Sequence, residues 1–254
     1  MKKWLSETIV DERVVLRIGR EGTDLVAEWP EIGVLRSNRL GTEHSFEAIA
    51  DADAGSVDKL KQGAVRAMLR HLRGELSLHA SAVAIGKRSA LFVGASGSGK
   101  STFAAYLGER GWPVLADDVA HLDQSEDAFL VQPSEGAHFL MHDACVALGI
   151  APDEERVKTR VAVKTVGEAS KLAAMFSFVD DDAVRVTRVA GYEMIQILSP
   201  CVARFVFDEP AALRTDLGRL GTLLAKVPLY RIGRPRGFEH LAEVEQRMLE
   251  VVQQ

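Results

Sequence analysis

The stretch Gly94-Ala95-Ser96-Gly97-Ser98-Gly99-Lys100-Ser101 constrains the chain more than any other. It satisfies G-x-x-x-x-G-K-[ST] at every fixed position, with the apolar run SALFV (89–93) before it and the helical pattern STFAAYLGER (101–110) after it. A strand, a glycine loop and a helix N-terminus in that order predict a backbone cradle for an anion. Glycines admit the positive φ that turns successive N–H groups inward. Lys100 then supplies a mobile cation for β- and γ-phosphates, and Ser101 a hydroxyl for Mg²⁺. The predicted nucleotide-binding set is Gly94, Ala95, Ser96, Gly97, Ser98, Gly99, Lys100, Ser101 and Thr102, with ATP and Mg²⁺ as cofactors.

The loop alone does not separate kinases from ATPases or GTPases. Asp117 and Asp118 bear on that, because they end the apolar stretch PVLA one helix length after Lys100. A carboxylate ending a strand beside the loop's own helix is where a Mg²⁺-linked aspartate is wanted. A second one could accept the proton of an attacking hydroxyl. Successive strand side chains point to opposite faces, so both need not enter the site. The competing reading for one of them is a turn or helix cap.

The rest of the chain sets the frame. Its 254 residues suit one large domain, or a catalytic domain with a small appendage. The segments RVVLRIG (13–19), DLVAEW (24–29), IGVLRS (32–37) and HSFEAIA (44–50) carry β-branched and aromatic residues between turn signals. They predict a small antiparallel β-rich unit over 1–55, followed by a catalytic domain over 56–254. A helix is predicted from Val57 to the stop at Gly74, then strands over 76–85 and 89–93. Further strands are predicted over 112–118, 172–179, 202–207 and 227–232, and amphipathic helices over 210–227 and 238–252. Strands and helices that do not strictly alternate predict a mixed rather than purely parallel sheet.

A formal net charge of -5 argues against a broad nucleic-acid surface. No apolar run reaches the roughly 18 residues of a spanning helix, and MKKWLSETIV lacks the apolar core of a secretory signal. No nucleic-acid or membrane partner is expected, and a cytoplasmic location is. Cys145 and Cys201 stand in unrelated contexts, without the spacing of a zinc site or disulfide framework. His138 and His142 are four apart but lack a third ligand, so a surface role is the expectation.

The segment LHASAVAIGKRSALFVGASGSGKSTFAAYLGERGWPVLADD resembles the catalytic core of the HPr kinase/phosphorylase family. Those bacterial serine kinases are similar in fold to phosphoenolpyruvate carboxykinase. Their pattern is a histidine on the strand before the loop, the loop, then R-G and A-D-D. This chain has His79, the loop 94–101, Arg110-Gly111 and Ala116-Asp117-Asp118 in that order. The resemblance implies an α/β fold, a mixed-sheet P-loop domain of the HPr kinase / phosphoenolpyruvate carboxykinase type behind the β-rich unit. It implies that Lys100 and Ser101 bind phosphate and metal and that the catalytic carboxylate is one of Asp117 and Asp118, with Asp117 favoured as the base, Asp118 as a metal or substrate partner, and His79 beside that carboxylate. It also implies a homo-oligomer and a protein or peptide partner carrying an acceptor serine. The family's glycine-rich signature is not evident in PSEGAHFLMHDACVALGI, which stands in its place, and there is no room for the longer enzymes' amino-terminal domain. The short form resembles the kinase-like proteins associated with lasso peptides and other peptide natural products, and polysaccharide-associated kinases equally.

The family also reaches the transferring phosphoryl group with a mobile basic loop. In ERVKTRVAVK, Lys158 and Arg160 are the candidates for that role, with Arg156 and Lys164 flanking them. The alternative is a solvated strand face, since 158, 160 and 164 share parity. RIGRPRG (231–237) reads as a short basic loop. A serine kinase is therefore expected, against a small-molecule kinase or a nucleotide sensor. Neither an N-K-x-D guanine motif nor an L-S-G-G-Q transporter signature is present.

Overall fold

The computed structural model describes residues 2–134, 137–163, 168–203 and 210–253. The chain divides into two units, Met1–Ser77 with Ala203–Asp216, and Leu78–Val202 with Leu217–Gln254.

In the first unit β1 (Lys2–Val10), β2 (Arg13–Glu21), β3 (Asp24–Trp29), β4 (Gly33–Ser37) and β5 (His44–Ala48) form an antiparallel meander in chain order. The last four match the predicted strands. The first is not among them, because KKWLSETIV carries little period-2 apolar signal. Its strand state comes from pairing with β2 through a tight turn at Asp11 and Glu12, both at positive φ.

Asp53 then caps α1 (Ala54–Leu60), its side chain accepting from the Ser56 amide at 2.8 Å. The run continues through a π turn at Lys61–Val65 into α2 (Arg66–Leu72), so the single predicted helix carries a bulge around Gly63. Val65, Met68 and Leu69 close over Ile18, Leu25, Trp29 and Leu35 of the meander. That shared core moves the unit's end from the expected residue 55 to Ser77.

The second unit is built on an eight-stranded mixed sheet, as the irregular alternation of elements predicts. β6 (Leu76–Ile85) and β7 (Arg88–Val93) are an antiparallel pair, buried almost throughout. The loop 94–99 leads into α3 (Lys100–Glu109), and β8 (Val114–Ala116) returns against β6. β9 (Val119–Gln124) and β10 (Phe129–Gln132) extend that side of the sheet. β11 (Ala137–Met141) leads into α4 (His142–Ala147) and pairs separately with β12 (Lys158–Ala162). β13 (Ser170–Asp180) lies at the centre, parallel to β7 on one side. β14 (Arg185–Arg188), α5 (Tyr192–Leu198) and α6 (Pro210–Lys226) follow. β15 (Leu229–Arg234) then pairs parallel with β13, and α7 (Leu241–Val252) completes the chain.

One face of the sheet is covered by α3 and α7. Leu241, Val244, Met248 and Val252 recur at helical spacing and pack on Phe92, Phe176 and Ile232. Phe103 of α3 meets Phe92 edge to face at 5.1 Å. Arg110, the arginine of the R-G pair, is bound at 2.6 Å to the buried Glu245, which also accepts from the Trp112 indole at 2.7 Å. Gly111, at φ 93°, ends α3 with its amide on Gly108. The R-G pair therefore fixes how α3 stops and docks on α7. Of the predicted strand 202–207, residues 204–207 lie outside the described residues.

Candidate active site

The loop 94–99 has the backbone conformation its glycines predict. Gly94, Gly97 and Gly99 take φ of 127°, 80° and 95°, and α3 begins at the next residue. A methyl group on Gly99 would stand 2.6 Å from Arg234 Nη2, so the glycine also admits that guanidinium. The Lys100 ammonium donates to the Gly94 and Ala95 carbonyls, both at 2.8 Å, which folds the side chain back over the loop. Burial pushes its pKa below the ordinary value, against the opposing charges of Asp117 and Asp118.

The two aspartates part company. Expected as the end of one long strand, they lie just past the three-residue β8, because Asp118 turns into the left-handed region at φ 73°. Asp117 is 2% exposed. Its Oδ1 accepts from Ser81 Oγ at 2.5 Å, and its Oδ2 lies 3.2 Å from His138 Nδ1. Its side chain also bonds that of Ser101. Burial alone would raise its pKa, but His138, Ser81 and Ser101 together hold it below the usual carboxylate range.

Asp118, by contrast, has a side chain 53% exposed and opens into a cavity of about 830 Å³ that the loop also lines. His79 Nδ1 sits 2.8 Å from the Asp118 carbonyl oxygen and 3.2 Å from Oδ1. Both neighbours are acceptors, so Nδ1 carries the hydrogen. The expected arrangement, with Asp117 toward the substrate and Asp118 at the metal, is thus reversed in exposure: Asp117 is sealed behind Ser101, and Asp118 faces the cavity.

The remaining expectations divide. Ala95, Ser96, Gly97, Ser98, Gly99, Lys100, Ser101, Thr102 and Lys158 all line the same cavity. Arg160 shares the face of Lys158 on β12, two residue pairs along, but is not part of the cavity wall. Arg156 is held at 3.5 Å by Asp153, and Lys164 lies outside the described residues.

Three contributors escaped the sequence reading. His138 was expected at the surface, yet β11 buries it against Asp117. Arg234 and Arg236 were read as part of a loop, but β15 runs on through Arg234 and brings both to the cavity. Arg236 is paired with Asp180 at 2.7 Å. Arg234 lies over the Phe178 ring at 5.4 Å and touches only carbonyls, those of Ser98, Pro235 and Gly237, at 3.3–3.5 Å. Among the described residues no carboxylate reaches it. The alternation of basic residues with Gly and Pro was the available signal.

No family profile matches the chain, and no curated protein does. Among solved structures it is similar to the HPr(Ser) kinase/phosphatase from Coxiella burnetii, at 15% identity and a TM-score of 0.39, over 68% of this chain and 88% of that one. No helix among the described residues is long and apolar enough to cross a membrane.

The residues fit a nucleotide triphosphate with its metal. Left-handed glycines, a helix N-terminus, Lys100 and the uncommitted Arg234 form a cationic cradle. No cluster of three or more metal-ligating side chains exists among the described residues.

Proposed function

We propose that this protein is an ATP- and Mg²⁺-dependent phosphotransferase acting on a serine hydroxyl of a protein or peptide. The observation that carries the reading is convergence: the loop with Lys100 and Ser101, and the Asp118–His79 pair, open onto one cavity. The motif resemblance over residues 76 to 119 points the same way.

In this reading Asp117 is not the base. It holds the Ser101 hydroxyl toward the metal, and Ser81 and His138 hold Asp117. The metal would be bound by Ser101, with a carboxylate behind it, and would neutralise phosphate charge. Asp118, exposed to the cavity, takes the proton of the acceptor hydroxyl. His79 keeps that carboxylate oriented through Nδ1. Lys100, Lys158 and Arg234 supply positive charge where the leaving and transferring oxygens gather it. Because the transition state of phosphoryl transfer is largely dissociative, positioning and charge account for most of the catalysis such a site provides.

The test is transfer of label from γ-labelled ATP, with Mg²⁺, to serine-containing peptides encoded next to the gene. Label on serine that disappears in Asp118→Asn while ATP binding persists supports the reading. Tight ATP binding without transfer to any hydroxyl replaces it with a nucleotide-sensing role.

A further inference from the structure

We propose that a second, smaller cavity beside the loop is the acceptor subsite, and that it takes a peptide serine flanked by uncharged residues. This rests on the phosphotransferase reading above. The cavity measures about 350 Å³ and shares His79, Ala95, Ser96, Phe178 and Val179 with the larger one, which alone holds Asp118 in its wall. The two hollows therefore meet at the loop and at the histidine that orients Asp118. A transferase needs its two substrates on either side of the moving phosphoryl group, with the base at the junction.

Charge decides which substrate goes where. Lys100, Lys158, Arg234 and Arg236 all face the larger cavity, which suits a polyanionic donor. The smaller has a single Lys or Arg side chain in its wall, Arg231, and Glu193 already pairs with it. Its other walls come from Phe178, Ile197, Pro200 and Cys201, with Ser177 and Gln196 as hydrogen-bonding groups. The Cys201 Sγ lies 3.3 Å from the Ile197 carbonyl, and burial pushes its thiol up, so that wall stays neutral. Lys100 acts on Cys201 from the larger cavity, but within this wall an acidic or phosphorylated acceptor finds no uncommitted counter-charge, and leaving it unpaired is costly.

The volume lies at the low end for ligand sites, room for a serine and an adjoining side chain. Beyond it apolar side chains are exposed among charged ones such as Glu193 and Asp180. Val179 on the rim is 39% exposed, and α5 presents Tyr192 at 72% and Ile195 at 37% just before Gln196. A peptide running on from the cavity meets that surface; a free small alcohol makes no use of it. In the step itself the serine O–H gives its proton to the Asp118 carboxylate. Its oxygen bonds the γ-phosphorus while the bond from that phosphorus to the β–γ bridging oxygen breaks, releasing ADP.

The experiment uses the full chain and two capped peptides, Leu-Ser-Leu and Asp-Ser-Asp. Binding is read by saturation-transfer NMR with MgADP present, and transfer by mass spectrometry with MgATP. Gln196→Trp, on an exposed helix position, closes the cavity without touching the catalytic groups. The expected result is at least tenfold preference for Leu-Ser-Leu, lost by tenfold or more in Gln196→Trp, with MgATP affinity within twofold of wild type. Gln196→Glu lowers Leu-Ser-Leu transfer less than the tryptophan does. The inference is overturned if neither peptide engages, if Asp-Ser-Asp is used equally well, or if Gln196→Trp leaves transfer intact. It is overturned too if Gln196→Trp weakens MgATP in parallel, since the cavity then holds part of the donor. A wild-type protein that binds no MgATP sinks the donor reading along with it.

Discussion

His79 Nδ1 lies 2.8 Å from the carbonyl oxygen and 3.2 Å from the carboxylate Oδ1 of the same residue, Asp118. One imidazole N–H thus binds both the backbone and the side chain of an aspartate held at φ 73°. A left-handed non-glycine residue costs roughly 1–3 kcal/mol and persists only where its surroundings enforce it. The Ala80 amide, at 3.2 Å, and the histidine both hold its carbonyl, and the carboxylate beside the histidine opens into the cavity.

The two aspartates are accordingly expected to fail differently. Asp118→Asn lowers the transfer rate by about 10²- to 10⁴-fold, the range of a lost general base, with ATP affinity and unfolding midpoint little changed. Asp117→Ala strands the hydroxyls of Ser81 and Ser101 and the His138 ring, costing about 1–3 kcal/mol for the unpaired groups. Single-turnover kinetics and thermal denaturation of both variants separate the roles. Equal loss of rate at unchanged stability in Asp117→Ala would return the base to that residue.

Asp117 also makes stability depend on pH. Its folded pKa is depressed below the unfolded value of about 3.9. A depressed carboxylate contributes stability that is fully present above the unfolded pKa and is lost as pH falls through the folded one. Denaturation midpoints measured from pH 6 downward should therefore fall once pH drops below about 4. Asp117→Asn should flatten that part of the curve, and an unchanged acid limb would show that other carboxylates carry it.

Among the described residues Arg234 hydrogen-bonds carbonyl oxygens at 3.3–3.5 Å and, although Asp180 acts on its charge, pairs directly with no carboxylate, so that charge is available to an anion at the loop. Arg234→Gln should weaken ATP by roughly 1.5–3 kcal/mol, the worth of hydrogen bonds to a charged group. AMP, with fewer phosphate oxygens near the loop, should be affected less. Calorimetric titration of both nucleotides checks this, and equal losses for the two would assign Arg234 to the base or ribose instead.

Gly99→Ala is expected to harm the loop twice. It places a side chain at φ 95°, costing about 1–2 kcal/mol. It also sets a methyl 2.6 Å from Arg234 Nη2, so the guanidinium must move off the loop. Urea denaturation should show the first effect and ATP affinity the second. Gly97→Ala, at φ 80° with open space around it, should show the strain without the loss attributed to Arg234.

Much of this was local enough to read from residue order. The loop's glycines, Lys100 and Ser101 announce their geometry because positive φ and a helix N-terminus are set by a handful of adjacent residues. The antiparallel meander from Arg13 onward and the packing face of α7 follow from periodicities of two and 3.6, which need only one apolar face each. The sequence by itself therefore determined a strand–loop–helix cradle, a mixed sheet and a carboxylate pair near the loop. Only the tertiary structure decided which carboxylate is sealed and which is open. That choice hangs on a single left-handed residue and on His79, Ser81 and His138, which arrive from two other strands. It also decided that β15 delivers Arg234 to the loop, and that Lys158 reaches the cavity while Arg160 does not. Such placements depend on strand pairing between distant segments, and no local pattern of residues encodes them.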